Sequence, residues 1–395
     1  MENDSNKVLY ISPDGILEPL GDSQVLKYLE KLSEQFNITL ISYEKKNDLK
    51  EIEKLQQIQA RCEGHNICWN YKPYRQGKFI ISHAINVLNF VFFPILLMWK
   101  NKYSIVHIRS YMPGLSIPLL SLIFNFKLLF DIRGFWADEK HDRLGWKKTS
   151  LKYLFFKNLE KYLFNRSDAV VTLTHGSKKY IAKKFLKPSD TIHVIRTCVD
   201  FDEFNVLEKN TEIDSLIVGY LGSIDTAYDF DKFLYFIKNL RNYNQGIEVH
   251  MLTKTPTKEM TRLFADNGLD DLRFKNHFLN RNQLNDAINK FDLLAFCLKE
   301  NFSIIASMPT KIGESLSCGV PIICNAFNED IELMLSNENI GEIYNFEDPI
   351  SEKRYQQLIN KIKSKEVSKI CNDFAKKEFS LESGSRSYKK IYETM

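Results

Sequence analysis

Several recognition motifs are missing from this sequence, and each absence removes a class of function. Seven Cys (62, 68, 198, 297, 318, 324 and 371) are scattered without a paired Cys-x-x-Cys spacing. That argues against a disulfide framework and leaves no convincing zinc site. Several stand inside apolar runs such as "LLAFCL", as reduced, buried thiols of a cytosolic protein do. No Gly-x-Gly-x-x-Gly follows the first strand, which disfavours a nicotinamide-dependent enzyme. The opening "MENDSNKVLYIS" has no basic segment leading into an apolar one, so no secretory signal is expected. The net charge of +4 is too small to make nucleic acid the default partner. No short repeat or low-complexity tract occurs.

What is present describes a soluble, globular chain: 44% hydrophobic and 26% charged residues over 395 positions, too many for one typical core. Two domains are expected. One segment departs from that picture. Residues 79–99, "FIISHAINVLNFVFFPILLMW", are long enough to cross a bilayer but contain Ser82, His83, Asn86, Asn89 and Pro94. Basic "KPYRQGK" precedes the segment and "KNK" follows it. Three readings stay open: a core helix, a membrane-surface element and a spanning helix. A second basic and aromatic stretch, residues 147–166, has apolar residues at helical spacing with Lys between them. It suits anionic lipid or simple packing on its own domain.

Along the chain, short β-branched runs alternate with helical patterns. "KVLYIS", "ITLISY", "SIVHIR", "KLLFDI", "AVVTLT" and "TIHVIR" read as strands. "DSQVLKYLEKLSEQF" reads as a helix capped by Asp22 or Ser23. Residues 200–214, "DFDEFNVLEKNTEID", are polar and without periodicity, as a link between domains is. The alternation restarts at "SLIVGYL" (215–221) and continues through "IEVHML", "LRF", "DLLAFCL" and "VPIICN". This predicts an α/β chain of two Rossmann-like, doubly wound halves with a cleft between them, with ligands outside the carboxyl ends of the strands.

The loops after those strands carry the chemistry. In "SMPTKIGESLSCGVPIICN" (307–325) Pro309 favours a helix start and Gly319 a helix end. The N-terminus between them offers N–H groups and the positive end of the dipole. Lys311 in the first turn is unfavourable there unless an anion comes. Glu314 projects from the same mouth, where a carboxylate suits two neighbouring hydroxyls. The alternative is an exposed, solvated Lys311–Glu314 pair. "GYLGS" places Gly222 and Ser223 at a strand end, where backbone can approach a phosphate or a sugar. In the long first loop Gly21, Asp22 and Ser23 are expected to overhang the cleft and meet a ligand, or Asp22 or Ser23 only caps the helix. "FDIRGFWADEKHD" gathers Arg133, a fork for phosphate, with Asp138 and Glu139, able to orient or deprotonate a hydroxyl. Pairing of Arg133 with Asp131 or Asp138 is the structural alternative. His107 reads as a core residue, and Arg109 at the end of the same strand as one facing the cleft.

Taken in order, these stretches resemble the retaining, nucleotide-sugar-dependent glycosyltransferases of the GT-B fold, family 4. "SMPTKIGESLSCGVPIICN" is similar to the helix start that binds the donor diphosphate and ribose in that family. "ISPDGILEPLGDSQVLKYL", "FDIRGFWADEKHDRLGW", "VVTLTHGSKKYI", "RTCVDFDEF" and "GYLGSIDTAYDFDKF" resemble its other segments. The resemblance implies an acceptor domain over 1–205, with a C-terminal helix at about 378–395 packing back on it, and a donor domain over 206–377. It implies Pro309, Thr310, Lys311 and Glu314 as donor contacts. Two departures stand out. The first glutamate of the family's E-x7-E falls on Ala306, and the Arg and Lys that usually follow the Gly-rich loop are missing, with Lys232 the nearest replacement. Charge neutralisation then falls on Lys311, Lys254 and Arg133. The expected activity is metal-independent transfer from a UDP-sugar to a glycan or lipid-linked glycan in bacterial surface polysaccharide synthesis. It would take place in the cytoplasm, peripheral to the plasma membrane, with an anionic membrane surface as a further partner, no nucleic acid and no cofactor beyond the co-substrate. A nucleotide-sugar epimerase of the same fold and a catalytically weak partner subunit are the alternatives.

Overall fold

A computed structural model describes residues 6–77, 80–208, 216–224, 227–364 and 366–395. Lys78 and Phe79 of the basic and apolar stretch, and 209–215 of the expected link and strand, lie outside the described residues. The chain divides into two compact units, Met1–Arg196 with Leu381–Met395, and Thr197–Ser380.

The first unit is built on seven parallel strands: β1 Lys7–Ile11, β2 Asn37–Lys45, β3 Cys68–Tyr74, β4 Ile105–Arg109, β5 Lys127–Asp131, β6 Ala169–Thr172 and β7 Ile192–Val194. They lie in the order β3-β2-β1-β4-β5-β6-β7. Val8 stands opposite Ile38 on one side and Ile105 on the other. β1, β4 and β5 are covered on both faces, so Val8, Leu9, Val106, Ile108, Leu128 and Leu129 are all buried. That is why these strands read as continuous apolar runs rather than alternations. The sequence reading missed β3, because its half-exposed "CWNYKPY" has no apolar run. As an edge strand it accommodates Pro73, which cannot donate to a ladder.

The first helix begins a turn earlier than expected. Pro19 opens it, Glu18 stands at its N-cap without a side-chain cap, and a π-helical turn spans Asp22–Leu26 before the α-helix resumes at Lys27–Leu32. Asp22 and Ser23 are therefore inside the helix rather than its cap. The apolar segment is one helix, Ile80–Lys100. It is not a core helix, since only 28% of its most apolar window is buried.

The second unit repeats the plan with β8 Ile217–Leu221, β9 Glu248–Leu252, β10 Arg273–His277, β11 Leu293–Phe296, β12 Ile322–Cys324 and β13 Gly341–Ile343. The order is β10-β9-β8-β11-β12-β13, again all parallel. Each sheet reverses its strand order once, between β1 and β4 and between β8 and β11. Loops leaving the carboxyl ends of those four strands are where such sheets bind ligands.

The division between the units falls at Arg196–Thr197, ahead of the 205–206 expected. Thr197 donates to the carbonyl of Met308 (3.1 Å), and the Asn205 N–H donates to Asn285 (3.1 Å), which ties 197–205 to the second unit. The helix Leu381–Thr394 belongs to the first unit, where the Tyr388 hydroxyl donates to Asp131 (3.0 Å) and the Tyr392 hydroxyl meets His107 Nδ1 (2.7 Å).

Candidate functional site

In the second unit the helix Thr310–Ser317 starts as the sequence suggests. Pro309 is its N-cap in extended backbone, with no side-chain cap, and Gly319 follows its last turn. The side chains on it are not where exposure would put them. Lys311 is 4% exposed, and its Nζ is buried without a hydrogen-bond partner. Three aromatic rings surround that ammonium: Tyr228 at 3.7 Å, Phe296 at 5.0 Å and Tyr220 at 5.2 Å from their centroids. Ring faces attract a cation but replace its water only in part. Burial therefore pushes the Lys311 pKa down to about 7, although nearby Glu314 favours the charged form.

Gly222, at the end of β8, explains why this packing is possible. Its φ of +112° suits glycine, and a Cβ there would stand 3.2 Å from Lys311 Nζ. The Lys311 head thus sits beside the β8 loop at the point where the strand order reverses. Ser223 follows, its carbonyl accepting from the Tyr220 hydroxyl (2.8 Å).

Glu314 is also buried, and burial raises its pKa while Arg281 opposes the rise. Arg281 donates to Glu314 (3.3 Å) and to Glu203 (2.9 Å). The solvated Lys311–Glu314 pair is thereby ruled out. The sequence reading missed Arg281. Its only signal was position: it opens the helix Arg281–Ile288, just past β10 and behind an Asn280–Gln283 capping box. Lys254 follows β9 and is exposed, with Nζ 5.1 Å from the Phe278 ring. Lys232 is committed elsewhere, to Glu347 (2.8 Å). Ala306 is fully buried in the turn Phe302–Ala306.

The first unit has its own charged cluster at the carboxyl ends of β4 and β5. Asp131 is fully buried and accepts from Arg109 (3.4 Å), Arg133 (3.4 Å) and Tyr388. Burial alone would raise its pKa. Arg133 foremost, with His107 and Arg109, outweighs burial and holds it well below the usual carboxylate range. Arg109 also reaches Asp14 (3.3 Å) in the loop after β1. Arg133 keeps its Nη2 buried and without a partner. His107 Nε2 lies 3.8 Å from Asp131, too far for a hydrogen bond, and burial lowers its pKa.

Residues 25–203 match the sequence family described as Glycosyltransferase Family 4. Solved structures over the whole length share the fold. A sucrose-phosphate synthase from Thermosynechococcus elongatus is 12% identical, with a TM-score of 0.68 and 98% of each chain covered. A glycosyltransferase from Rickettsia africae is 16% identical, again with 0.68 and 98% of each chain. Anabaena HepE, solved with UDP and glucose, is 11% identical with 0.68, over 98% of this chain and all of the other. No curated protein matches the sequence. Residues 25–203 thus resemble a family 4 glycosyltransferase, and the fold of the chain is GT-B.

The remaining expected residues divide in two. Asp138 is turned inward: it accepts from Tyr153 (2.6 Å) and Lys157 (2.8 Å), and Lys157 also binds buried Glu160. Glu139 is different. Its pKa is raised by burial, and its carboxylate packs against Gly134 at the end of the Arg133 loop. In the first loop, Asp22 pairs with Arg61 (2.9 Å) and Ser23 is buried, so both serve the helix. Gly21 leaves no room for a side chain, since a Cβ would fall 1.9 Å from the Gly15 carbonyl oxygen.

What holds that loop is Glu44, a residue the sequence reading passed over at the end of β2. Fully buried, it accepts from the N–H groups of Ile16 (2.8 Å) and Leu17 (3.1 Å) and from Ser42. The expectation of metal independence rests on there being no Asp-x-Asp, which the sequence contradicts: two such triplets occur, Asp200-Phe201-Asp202 and Asp229-Phe230-Asp231. Asp200 accepts from the Asp202 N–H (3.0 Å) and Asp229 from the Lys232 N–H (3.3 Å), as turn and helix caps do. Among the described residues no group of three His, Cys, Asp or Glu could hold a metal ion.

Proposed function

We propose that this glycosyltransferase moves a sugar from a UDP-sugar to a glycan or lipid-linked glycan of a bacterial cell surface, in the cytoplasm. In this reading the configuration is retained, and no metal or cofactor takes part. The observation that carries the reading is the buried, unpartnered Lys311 ammonium, beside the Gly222 turn and on an uncapped helix N-terminus. A departing diphosphate supplies the partner this cation lacks, and preorganised N–H groups and charge stabilise it as it leaves. HepE has the same fold and was solved with UDP and glucose, which supports a nucleotide-sugar as donor. In this proposal Thr310, Pro309, Ser223 and Lys254 line the donor end. Glu314 meets the ribose, with Arg281 opposing the rise that burial gives its pKa.

On the acceptor side, Arg133 has an uncommitted Nη2 for an anionic group, and Glu139, with its raised pKa, is the better base. Asp138, committed to Lys157 and Tyr153, acts through the loop's shape, as do Gly21, Asp22, Ser23 and Arg109. The test is direct. Lys311→Ala should weaken UDP binding by ten-fold or more, on the order of 1.4 kcal/mol, measured by calorimetry. An unchanged dissociation constant would remove Lys311 from the site. A second reading, a catalytically weak partner subunit, draws on buried Ala306 where the family has a carboxylate. Tight UDP binding without turnover of any UDP-sugar, alone or with acceptor, would favour it.

A further inference from the structure

Between Glu63 and Asp131 the chain contains no Asp or Glu, although 50 occur among its 395 residues. Within that stretch lies the helix Ile80–Lys100, whose window Ile81–Lys100 has a mean hydropathy of 1.8. Ile81, Leu88, Phe92, Leu96 and Trp99 recur at steps of seven, four, four and three, one face of an α-helix, and are 50–73% exposed. The opposite face is the packed one. Phe90 packs at a tilt against Tyr43, ring centroids 4.0 Å apart, the Tyr43 hydroxyl donates to the Asn89 carbonyl (3.1 Å), and Leu97 and Met98 are buried. The neighbouring helix Ile117–Ile123 adds Leu122, 82% exposed, and Ile123. Trp99 meets Phe124 edge-on at 6.4 Å.

Cations border this face. Lys72 Nζ lies 4.0 Å from the Phe93 ring centroid. Arg75 is tied to the helix by two bonds between its backbone and the Asn86 side chain (3.0 and 2.9 Å). Lys100 and Lys102 stand exposed at the other end. We infer that this face docks on an anionic lipid bilayer, with the helix lying in the plane of the headgroups.

The helix cannot span the bilayer. It connects β3 to β4, parallel strands of one sheet, and its inner face is packed within that unit. A second copy of the same surface fits poorly, because pairing the two faces would bring the cationic borders together. Anionic headgroups answer the cations, while the acyl boundary takes the apolar stripe and Trp99. The inference is independent of the donor site, since docking needs no nucleotide.

Co-sedimentation of the full chain with phosphatidylcholine vesicles, with and without phosphatidylglycerol, tests it. Binding should need the anionic lipid and weaken with salt. Lys100→Ser and Lys102→Ser should each weaken it by roughly five-fold. Phe92→Glu with Leu96→Glu should abolish it, while the circular dichroism spectrum and thermal midpoint of the free protein, checks on folding, stay as in the wild type. Trp99 fluorescence should move to the blue on binding. Equal binding to neutral vesicles, no binding to either, or wild-type binding by the double Glu variant overturns the inference. So does a stable dimer in solution that the double variant dissociates.

Discussion

At the scale of single residues, Lys311 combines two properties that pull apart. A buried ammonium with aromatic rings for company destabilises the ligand-free fold, while the same vacancy at the head of a helix favours an anion. Its pKa, lowered from 10.5 to about 7, fixes the sign of the pH effect. As pH falls from 10.5 towards 7 the unfolded chain takes up the proton more readily than the folded one. This residue's contribution to stability therefore declines through that window. Lys311→Met should raise the stability of the ligand-free protein at pH 7 by about 1–3 kcal/mol, read from urea unfolding. UDP binding should show the reverse linkage: a diphosphate favours the ammonium, so above pH 7 binding takes up a proton and weakens as pH rises. Calorimetry in two buffers of different ionisation enthalpy measures that proton directly.

At the scale of elements, the first loop and helix behave as one piece fastened from inside. Pro19 starts the helix, Glu44 holds the loop by two N–H groups, and Gly21 lets the helix press on the Gly15 carbonyl. Gly21→Ala should cost about 2–3 kcal/mol, because the clash is with backbone that cannot rotate away. Chemical denaturation of that variant checks the figure. The turn residues of this element were legible in the sequence, but its start was not. Asp22 and Ser23 have the chemistry of caps, and only the partner Arg61, far along the chain, shows that Asp22 has another use. The helix Thr310–Ser317 was legible at both ends for a local reason: Pro309 and Gly319 act through their own backbone. Its side-chain environment was not, because Tyr220, Tyr228, Phe296 and Arg281 reach it from other elements.

At the scale of the whole molecule, the last helix stabilises a unit whose other residues end at Arg196. Tyr388 and Tyr392 complete the partners of buried Asp131 and His107. Truncation after Ser380 should therefore cost the first unit about 3–5 kcal/mol, since it strips partners from a buried charge. Thermal unfolding of the truncated chain reads that loss. Asp131 also sets an acid limit. With its folded pKa depressed, it contributes stability fully present above the ordinary carboxylate value, and lost as pH falls below it.

The amino-acid sequence by itself determined the alternation of strand and helix and the two parallel sheets. It also set which loops follow the strands, because period and apolar content are local properties of a chain. Tertiary structure alone decided which charges are spent on the fold and which remain available. Asp138, Asp22 and Lys232 are neutralised by residues distant in sequence, whereas Lys311 and one arm of Arg133 are buried without hydrogen-bond partners. Burial and pairing depend on what other segments bring to a position, and no spacing along the chain encodes that.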